Sequence, residues 1–404
     1  MMKTKMNRYR WARTPLLLAG LTLPALAMGQ GTVGLNVAGE VRFPDLNSAT
    51  PQETPLCFNS SSGFLGACTQ VSGMNSIAWV ATQGGDYTSP IQALNEVNNW
   101  CGVPSGANRC LIRIAPGHYD LGNQQLVMRP FVDIQGSGWN MTVLGGARGA
   151  ADLMDSALVK GSVSSVLSQL TIFNTGTAGQ AYATGYAAEN ISTGSDVAPD
   201  LDHVTVKVGG NANNSYGVYL SNVADSRLER VWLEIDGNNH CVGLMAEENE
   251  SGGVINRLHA HTTHNCDSAV GVHFRNIEHT VSNSSIDATA GGGNVYGAII
   301  EVTGTGEQFS MIKESEIGAD LASGSGNAIG VEFRGNGSGA VLHSMLVGET
   351  DTGSGYGVHI ATSAQNAKIA YSALLGTTAN VNDEVPATTN CTHNIDADLQ
   401  DVDC

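Results

Sequence analysis

A repeat of about 28 residues constrains the fold of this chain more than any other feature. Seven short stretches combine a glycine with alternating apolar residues, and the glycines recur at nearly even intervals. These glycines are Gly185, Gly217, Gly243, Gly271, Gly297, Gly330 and Gly357. A second apolar row lies between them with the same spacing, namely Val204, Val231, Leu258, Ile286, Ile317, Leu346 and Leu374. Two rows with one period indicate a repeated structural unit.

Each repeat holds at least two short strands and is too small to bury its apolar face alone. Stacked repeats bury that face when every strand pairs with its counterpart in the next repeat. The period therefore predicts an all-β fold, a right-handed single-stranded parallel β-helix. A propeller is the structural alternative, but its repeats would be longer, about 40–50 residues.

Alternation along the glycine row assigns its side chains to two faces. We expect one set to point into the coil: Val218, Leu220, Leu244, Ala246, Val272, Phe274, Ala298, Ile300, Val331, Phe333, Val358 and Ile360. The outward column Glu247, Arg275, Glu301 and Arg334 is interpreted as a ladder of exposed ion pairs. At the following turn we expect stacked asparagines, Asn190, Asn222 and Asn276. His273, Glu332 and His359 are interpreted as ordinary surface residues.

Residues 1–27 have the pattern of a secretory signal peptide, with basic residues before an apolar run from Leu16 to Ala27. The leader holds 5 of the 19 basic residues and none of the 37 acidic ones, so the rest of the chain carries 14 basic residues and a formal net charge of −23. We predict a secreted bacterial protein without a transmembrane segment. An acidic surface repels polyanions, which argues against a nucleic-acid partner. It also argues against a bare acidic polysaccharide, unless a divalent cation such as calcium bridges the two.

Eight cysteines in an exported chain predict a set of disulfides. Their spacing favours four local bridges, Cys57–Cys68, Cys101–Cys110, Cys241–Cys266 and Cys391–Cys404. The sequence contains no CxxC pair, so a thiolate zinc site has no support.

The chain divides into four predicted parts: the leader, a β-hairpin segment at 28–75, the β-helix at 76–380 and a disulfide-closed tail at 381–404. We predict two short hairpins in the segment 28–75, the second of them closed by the disulfide Cys57–Cys68. This segment is similar to the stalk-like pieces that precede fibre domains, and a plain linker is the alternative. Residues 89–100 are predicted to form a helix that covers the first coil, with Ser89 as N-cap and Pro90 at the first helical position.

A stretch near the start of the coils carries a family resemblance. "GGDYTSPIQALNEV", "CLIRIAPGHYDLG" and "VDIQGSGWNMTVLGG", within residues 84–146, resemble the opening of the pectin-lyase-like β-helix superfamily, in its pectinesterase form. The resemblance implies a right-handed parallel β-helix and mostly extracellular polysaccharide chemistry. The chain departs from the enzymes after this stretch: the catalytic motifs of pectinesterases, pectate lyases and polygalacturonases are absent from the sequence. No catalytic residue can therefore be carried over.

The stretch "RLHAHTTHNC", residues 257–266, marks the candidate site. His259 and His261 point outward from one strand, where an H-x-H pair can hold a metal or act as an acid–base group. Aligning the repeats places His259 between Trp232 and Asp287, and His261 between Glu234 and Thr289. Sugar sites combine such groups: an aromatic face for stacking, and charged groups that pair with hydroxyls or carboxylates. We expect Trp232, Arg230 and Arg257 to contact substrate, and His259, His261, Asp287 and Glu234 to be catalytic candidates.

Two functions fit these residues. The first is an exported protein that binds or acts on extracellular polysaccharide through the face around Trp232 and His259; as an enzyme it would be a lyase, an esterase or a hydrolase. The second is a non-catalytic surface or fibre protein, with the β-helix as a rigid spacer and a homotrimer as its expected state. The missing catalytic motifs and the stalk-like segment favour the second.

Overall fold

The computed structural model describes residues 56–58, 65–67, 76–191, 199–248, 251–263, 265–303, 309–335, 338–362, 364, 366–384, 389–396 and 400–402. The predicted leader, the first hairpin and His264 lie outside these residues. Contacts divide the chain into two units, Met1–Cys68 and Thr69–Cys404. In the first unit, Leu56–Phe58 pairs antiparallel with Leu65–Ala67, as the second predicted hairpin requires.

The second unit is a parallel β-helix whose strands form three sheets, as the repeat period predicts and the family resemblance implies. Sheet A is the glycine row and has ten strands: Leu126–Val127, Ala157–Lys160, Tyr182–Ile191, Asn214–Val223, His240–Glu247, Ser268–Arg275, Val295–Val302, Asn327–Gly335, Ser354–Ile360 and Ala379–Asp383. Every strand of sheet A pairs in parallel with the one a coil away.

The second apolar row lies in sheet C or at its start, and a third sheet, sheet B, precedes it in each coil. Sheet B consists of Ile77–Val80, Cys110–Ile114, Val132–Gln135, Arg227–Glu229, Ser251–Asn256, Glu278–Ser282, Phe309–Lys313, Ser338–Leu342, Ala367–Ala370 and Asn390–Thr392. Sheet C consists of Gly117–Asp120, Thr142–Gly146, Trp232–Ile235, His259–Thr262, Ser285–Ala290, Glu316–Leu321, Met345–Thr350, Ala373–Gly376 and Asn394–Ile395. Two long strands, Val166–Asn174 and Asp200–Val208, run from sheet B into sheet C. The last strand, Asp401–Val402, pairs antiparallel with Asn394–Ile395.

The core fills the inside of the coil. All twelve side chains of the glycine row that were predicted to point inward are buried and belong to one apolar cluster. The glycines themselves are required by space: a Cβ on Gly243 would lie 2.4 Å from the carbonyl oxygen of Gly271, one coil away. At these glycine positions the neighbouring coil lies too close for any side chain.

The described residues also form three short helices. Pro90–Asn95 and Val97–Trp100 occupy the segment in which a helix was predicted, and Leu153–Ser156 packs on sheet A. Ala93, Leu94 and Val97 are buried in the main core cluster, and Trp100 Nε1 donates a hydrogen bond of 2.8 Å to the carbonyl of Ala93. The covering role of this helical segment stays a prediction.

The coil pairing continues into the region predicted to be a tail. Lys368 pairs with Asn390 and Ala373 with Ile395, both in parallel register. Parallel pairing thus occurs on both sides of residue 380. The predicted boundary between the β-helix and the tail at this residue stays a prediction.

Two of the four predicted disulfides, Cys101–Cys110 and Cys241–Cys266, are confirmed. Cys391 is disulfide-bonded, and its predicted partner Cys404 lies outside the described residues, as does Cys68. Within the part of the chain that the structure describes, no helix is long and apolar enough to span a bilayer.

Candidate functional site

From the strand Val166–Asn174 onward, sheets B and C meet at a sharp corner formed by one residue in each of nine consecutive coils. That residue adopts a left-handed conformation with φ between 50° and 57°, although none of the nine is glycine. We call this set the corner column: Gln169, His203, Arg230, Arg257, Asn283, Glu314, His343, Tyr371 and His393. The backbone N–H of Arg230 donates to the carbonyl of Asn256, one coil further on, at 3.0 Å. The corner thus holds each side chain at the outer edge of the coil, one rung above the next.

A cleft of about 290 Å³ lies beside this corner on the outer face of sheet C. Trp232, on sheet C, stacks on His259 with ring centroids 4.7 Å apart and an interplanar angle of 23°. Trp139, from the turn before Thr142–Gly146, faces Trp232 at 6.2 Å. Both indoles are about half exposed, at 42% for Trp232 and 53% for Trp139. This tryptophan cleft is lined by Trp139, His203, Thr205, Arg230, Val231, Trp232, Arg257, His259 and Asn283.

A small residue makes the gap next to Trp232. Thr205 pairs with Trp232 in the strand register and occupies the rung before it. Its side chain is buried, at 2% exposure, and its Oγ1 has no hydrogen-bond partner in the structure. Because this oxygen is shielded from solvent, Thr205 shapes the cleft through its small size.

The charge of the cleft is opposite to that of the chain. Its lining residues include two arginines and two histidines and no carboxylate, while the whole chain has a net charge of −18. Arg230 lies 3.3 Å from Asp202 and 3.7 Å from Glu229, and Arg257 lies 3.6 Å from Glu229. These long contacts leave most donors of the two half-exposed guanidinium groups available to a ligand.

The structure corrects one part of the predicted alignment. Trp232 pairs with His259 and Glu234 with His261, as expected. His259, however, pairs with Ser285 and His261 with Asp287, so the placement of Asp287 beside His259 and of Thr289 beside His261 was wrong. The strand is shifted by two residues, and a shift of two leaves every side chain on the same face. Alternation of the sequence therefore could not reveal the error.

The proposed catalytic groups separate into two sets. His259 lies in the tryptophan cleft with Arg230, Arg257 and Trp232, whereas His261, Asp287 and Glu234 form the next outward column of sheet C. His261 Nδ1 lies 3.3 Å from Asp287 Oδ2, and the hydrogen bond to this carboxylate raises the pKa of His261 although partial burial opposes it.

The third group of this column, Glu234, is paired with a neighbouring lysine. Glu234 Oε2 pairs with Lys207 Nζ at 2.5 Å. The column therefore contains one histidine–carboxylate pair, His261 with Asp287, and one carboxylate that a lysine already neutralises.

Five residues of the cleft were missed from the sequence: Trp139, His203, Thr205, Val231 and Asn283. His203 could have been found, since it stands one repeat before Arg230, whereas the two-residue error in the alignment placed Ser285 and not Asn283 beside Arg257. Trp139 lies in a turn outside both repeating rows and gave no such signal. Thr205 follows the pivot Val204 and resembles any other small strand residue in the sequence.

The outer face of sheet A differs from its sequence interpretation. Glu247 is buried at 5% exposure, accepts a 2.5 Å hydrogen bond from the Tyr219 hydroxyl and pairs with Arg275. The interpretation of this column as a ladder of exposed pairs was therefore wrong for Glu247, because the tyrosine and the arginine cover its carboxylate.

The next rungs of sheet A carry further pairs. His273 Nε2 lies 2.9 Å from Glu301 Oε2. Glu332 pairs with Arg334 and, at 2.8 Å, with His359 Nδ1. At 5% exposure Glu332 is buried, so its interpretation as an ordinary surface residue was wrong. We call Tyr219, Glu247, His273, Arg275, Glu301, Glu332, Arg334 and His359 the sheet A network.

At the adjoining turn, Asn222 Nδ2 donates to Asn190 Oδ1 at 3.2 Å, as predicted for stacked asparagines. Asn276 instead bonds to Thr303.

In the described part of the chain, no three side chains of His, Cys, Asp or Glu come together as a metal site. The carboxylates near the tryptophan cleft already have partners: Asp202 pairs with His203 and Arg230, and Glu229 with both arginines. The calcium considered from the sequence stays a prediction.

Comparison with known proteins finds similarity in three-dimensional structure but none in sequence. No protein-family model and no curated protein sequence matches the chain. Among solved structures, a mannuronan C-5 epimerase A-module from Azotobacter vinelandii is similar, with 14% identity over 76% of this chain and 95% of that one and a TM-score of 0.43. Pectin methylesterase from carrot has 14% identity over 68% and 82%, also with a TM-score of 0.43. A bacteriophage CBA120 tailspike protein has 13% identity over 65% and 38%, with a TM-score of 0.45. At such values no residue role is transferred to this chain.

Proposed function

We propose that this chain is an exported protein that binds extracellular polysaccharide in the tryptophan cleft. One observation carries the proposal: two half-exposed indoles, Trp139 and Trp232, flank a cleft that is also lined by the guanidinium groups of Arg230 and Arg257. Sugars present an apolar face and a polar rim. Indole faces suit the first, and guanidinium donors suit the second.

The charged groups favour a sugar that carries an anion. Arg230 and Arg257 reach the cleft from adjacent rungs of the corner column, and planar guanidinium groups bind carboxylates or sulfates in a bidentate manner. The long-range field of an acidic chain slows the approach of a polyanion, but it is screened within about 8 Å at physiological ionic strength. Contacts inside the cleft then decide the affinity, and a bridging cation is not required.

Catalysis is a second part of the proposal, supported by the His261–Asp287 contact of 3.3 Å. Asp287 would orient the imidazole, and the raised pKa of His261 would keep it protonated, and able to donate a proton, at a higher pH than an isolated histidine. His259, which stacks on Trp232, would instead contact the sugar. Glu234, paired with Lys207, would set the charge around His261.

Affinity electrophoresis tests the proposal. The chain from residue 28 onward is run through gels that contain polygalacturonate, alginate, chondroitin sulfate, xylan or dextran. We expect retention by at least one anionic polymer and a roughly tenfold or greater loss of affinity in Trp232→Ala and Trp139→Ala, as for aromatic hot spots. The same mixtures are assayed for new reducing ends, methanol and unsaturated uronides, with His261→Gln as the variant expected to lose any product release.

Trp79→Ala is the matched control. Trp79 is 46% exposed and carries Arg113 over its ring at 5.3 Å, so it offers an aromatic and a cation but does not line the cleft. Equal losses in Trp79→Ala and Trp232→Ala would contradict a specific site. If no polymer retains the wild type, the proposal is wrong, and a trimer in light scattering would then favour the spacer function.

A further inference from the structure

The corner column uses residues that are unfavourable for its backbone. A left-handed conformation costs roughly 1–2 kcal/mol for residues other than glycine, and less for asparagine. At the turn that follows the sheet A strands, four of the five left-handed residues obey this rule, Asn190, Asn222, Asn276 and Gly335, and Glu248 is the exception. At the corner only Asn283 obeys it, and the other eight residues are glutamine, histidine, arginine, glutamate or tyrosine. The corner side chains therefore reflect a requirement other than the turn itself.

In four consecutive coils the corner backbone has a support that does not involve the outward side chain. A serine follows the corner residue in consecutive coils, and its hydroxyl accepts a backbone N–H from the preceding coil. Ser284 Oγ accepts from the N–H of Leu258 at 3.0 Å, Ser315 Oγ from Ser284 at 3.2 Å and Ser344 Oγ from Ser315 at 3.3 Å. This serine ladder satisfies the turn from the inside at four consecutive corner residues, Asn283, Glu314, His343 and Tyr371. In these coils the outward side chain is not needed for the hydrogen bonds of the turn and can contact something else.

The far end of the corner column carries an exposed stack of rings. Tyr371 lies between His343 and His393, with centroid distances of 5.2 and 5.0 Å and interplanar angles of 6° and 9°. All three residues are exposed, Tyr371 at 56%. Because the ring faces cover one another, the stack presents polar ring edges to solvent, one on each rung. We call these three residues the ring stack.

The tryptophan cleft and the ring stack lie along the same corner column. Arg230 in the cleft and Tyr371 in the stack are five rungs apart on the corner column. At about 4.8 Å for each rung the separation is about 24 Å. Asn283 and Glu314, on the rungs between them, are both exposed. A linear polymer along the coil axis would therefore meet hydrogen-bonding groups on every rung.

We infer that the corner column is a track for an extended polysaccharide, and that the ring stack is a second binding region about 24 Å from the tryptophan cleft. The inference rests on the proposed function, because it assigns the ligand of the cleft a minimum length. Oligosaccharides that fill only the cleft bind through the tryptophans. Chains long enough to reach the ring stack gain a second set of contacts at little further entropic cost, since they are already held.

The test is the dependence of affinity on chain length. Size-fractionated polygalacturonate and alginate oligomers, from trimers to chains whose extended length well exceeds the separation of the two regions, are titrated by calorimetry against wild type, Tyr371→Asn and Trp232→Ala. Asparagine tolerates the left-handed turn, so Tyr371→Asn removes the central ring while keeping the backbone. Circular dichroism checks that each variant is folded, and Trp79→Ala again serves as the control.

We expect Tyr371→Asn to lower affinity for the long chains about tenfold and to leave the trimer affinity unchanged. Trp232→Ala should lower affinity at every length. If the wild type binds long and short chains equally, or if Tyr371→Asn has no effect on long chains, the track is overturned while the function of the cleft stands. A loss in Tyr371→Asn without a loss in Trp232→Ala would reject the cleft as the principal site. Failure to bind either series would overturn the track.

Discussion

The two outward faces of the coil use similar residues for opposite purposes. On sheet A, Glu247 and Glu332 are each held by an arginine and a second hydrogen-bond donor and are almost fully buried. At the corner, Arg230 and Arg257 make only long contacts and remain about half exposed. Polar groups that are mutually satisfied stabilise a fold, whereas groups with spare donors can bind a ligand. The presence of charged and aromatic residues therefore does not identify a site. What distinguishes the two faces is whether the hydrogen-bonding groups are already paired within the protein.

The largest expected difference between the faces is in stability. Glu332→Ala leaves Arg334 and His359 without their buried carboxylate and should lower the free energy of unfolding by roughly 2 kcal/mol. Arg257→Ala removes an exposed, weakly paired cation and should change it by less than about 0.5 kcal/mol. Urea denaturation of both variants measures the two effects. Equal losses would show that the corner is as structural as sheet A.

A smaller difference is expected in the response to pH. The hydrogen bond that His359 donates to the Glu332 carboxylate raises the pKa of His359, although burial opposes it. The protonated form is favoured in the folded state, so this contribution is complete below the unfolded pKa of about 6.5 and is lost as the pH rises through the folded pKa. Unfolding between pH 6.5 and 9 should show falling stability in the wild type and a flatter profile in His359→Gln.

Two other histidines can be told apart from His359 in that experiment. Burial lowers the pKa of His279, inside the coil, to about 4, so its contribution is lost as the pH falls below about 6.5. The pKa of His261 is also raised, but its side chain is 49% exposed and solvent weakens the effect. Identical profiles for wild type and His359→Gln would exclude the sheet A network as the cause.

The smallest expected effect tests the backbone of the corner. Glu314 is exposed, has φ 51° and lies between the cleft and the ring stack. Glu314→Asn should raise the free energy of unfolding by roughly 0.5 kcal/mol, because asparagine adopts this conformation more easily. Glu316→Asn, in a regular strand of sheet C, is the control and should give no gain. A loss in Glu314→Asn would show that the corner side chain itself supports the turn.

The sequence was sufficient for the coil and insufficient for the site. The inward positions, from Val218 to Ile360, follow from period and alternation alone, since burial on one face is what those patterns encode. Register is weaker information: alternation cannot separate Asp287 beside His259 from Asp287 beside His261. The corner was not predicted either, because arginine, histidine and tyrosine are not typical of left-handed turns. Trp139 enters the cleft from a turn, where neither period applies.

The serine ladder has a consequence for how such a surface can change. Since the hydroxyls of Ser284, Ser315, Ser344 and Ser372 hold their turns from within, the outer residue on each of these rungs can be exchanged without rebuilding its neighbours. Inserting one whole coil of about 28 residues would lengthen the corner column by about 4.8 Å and leave the residues at both of its ends unchanged. The binding edge can therefore change in steps of one coil. Both the side chains that it presents and the number of its rungs are open to evolution or design.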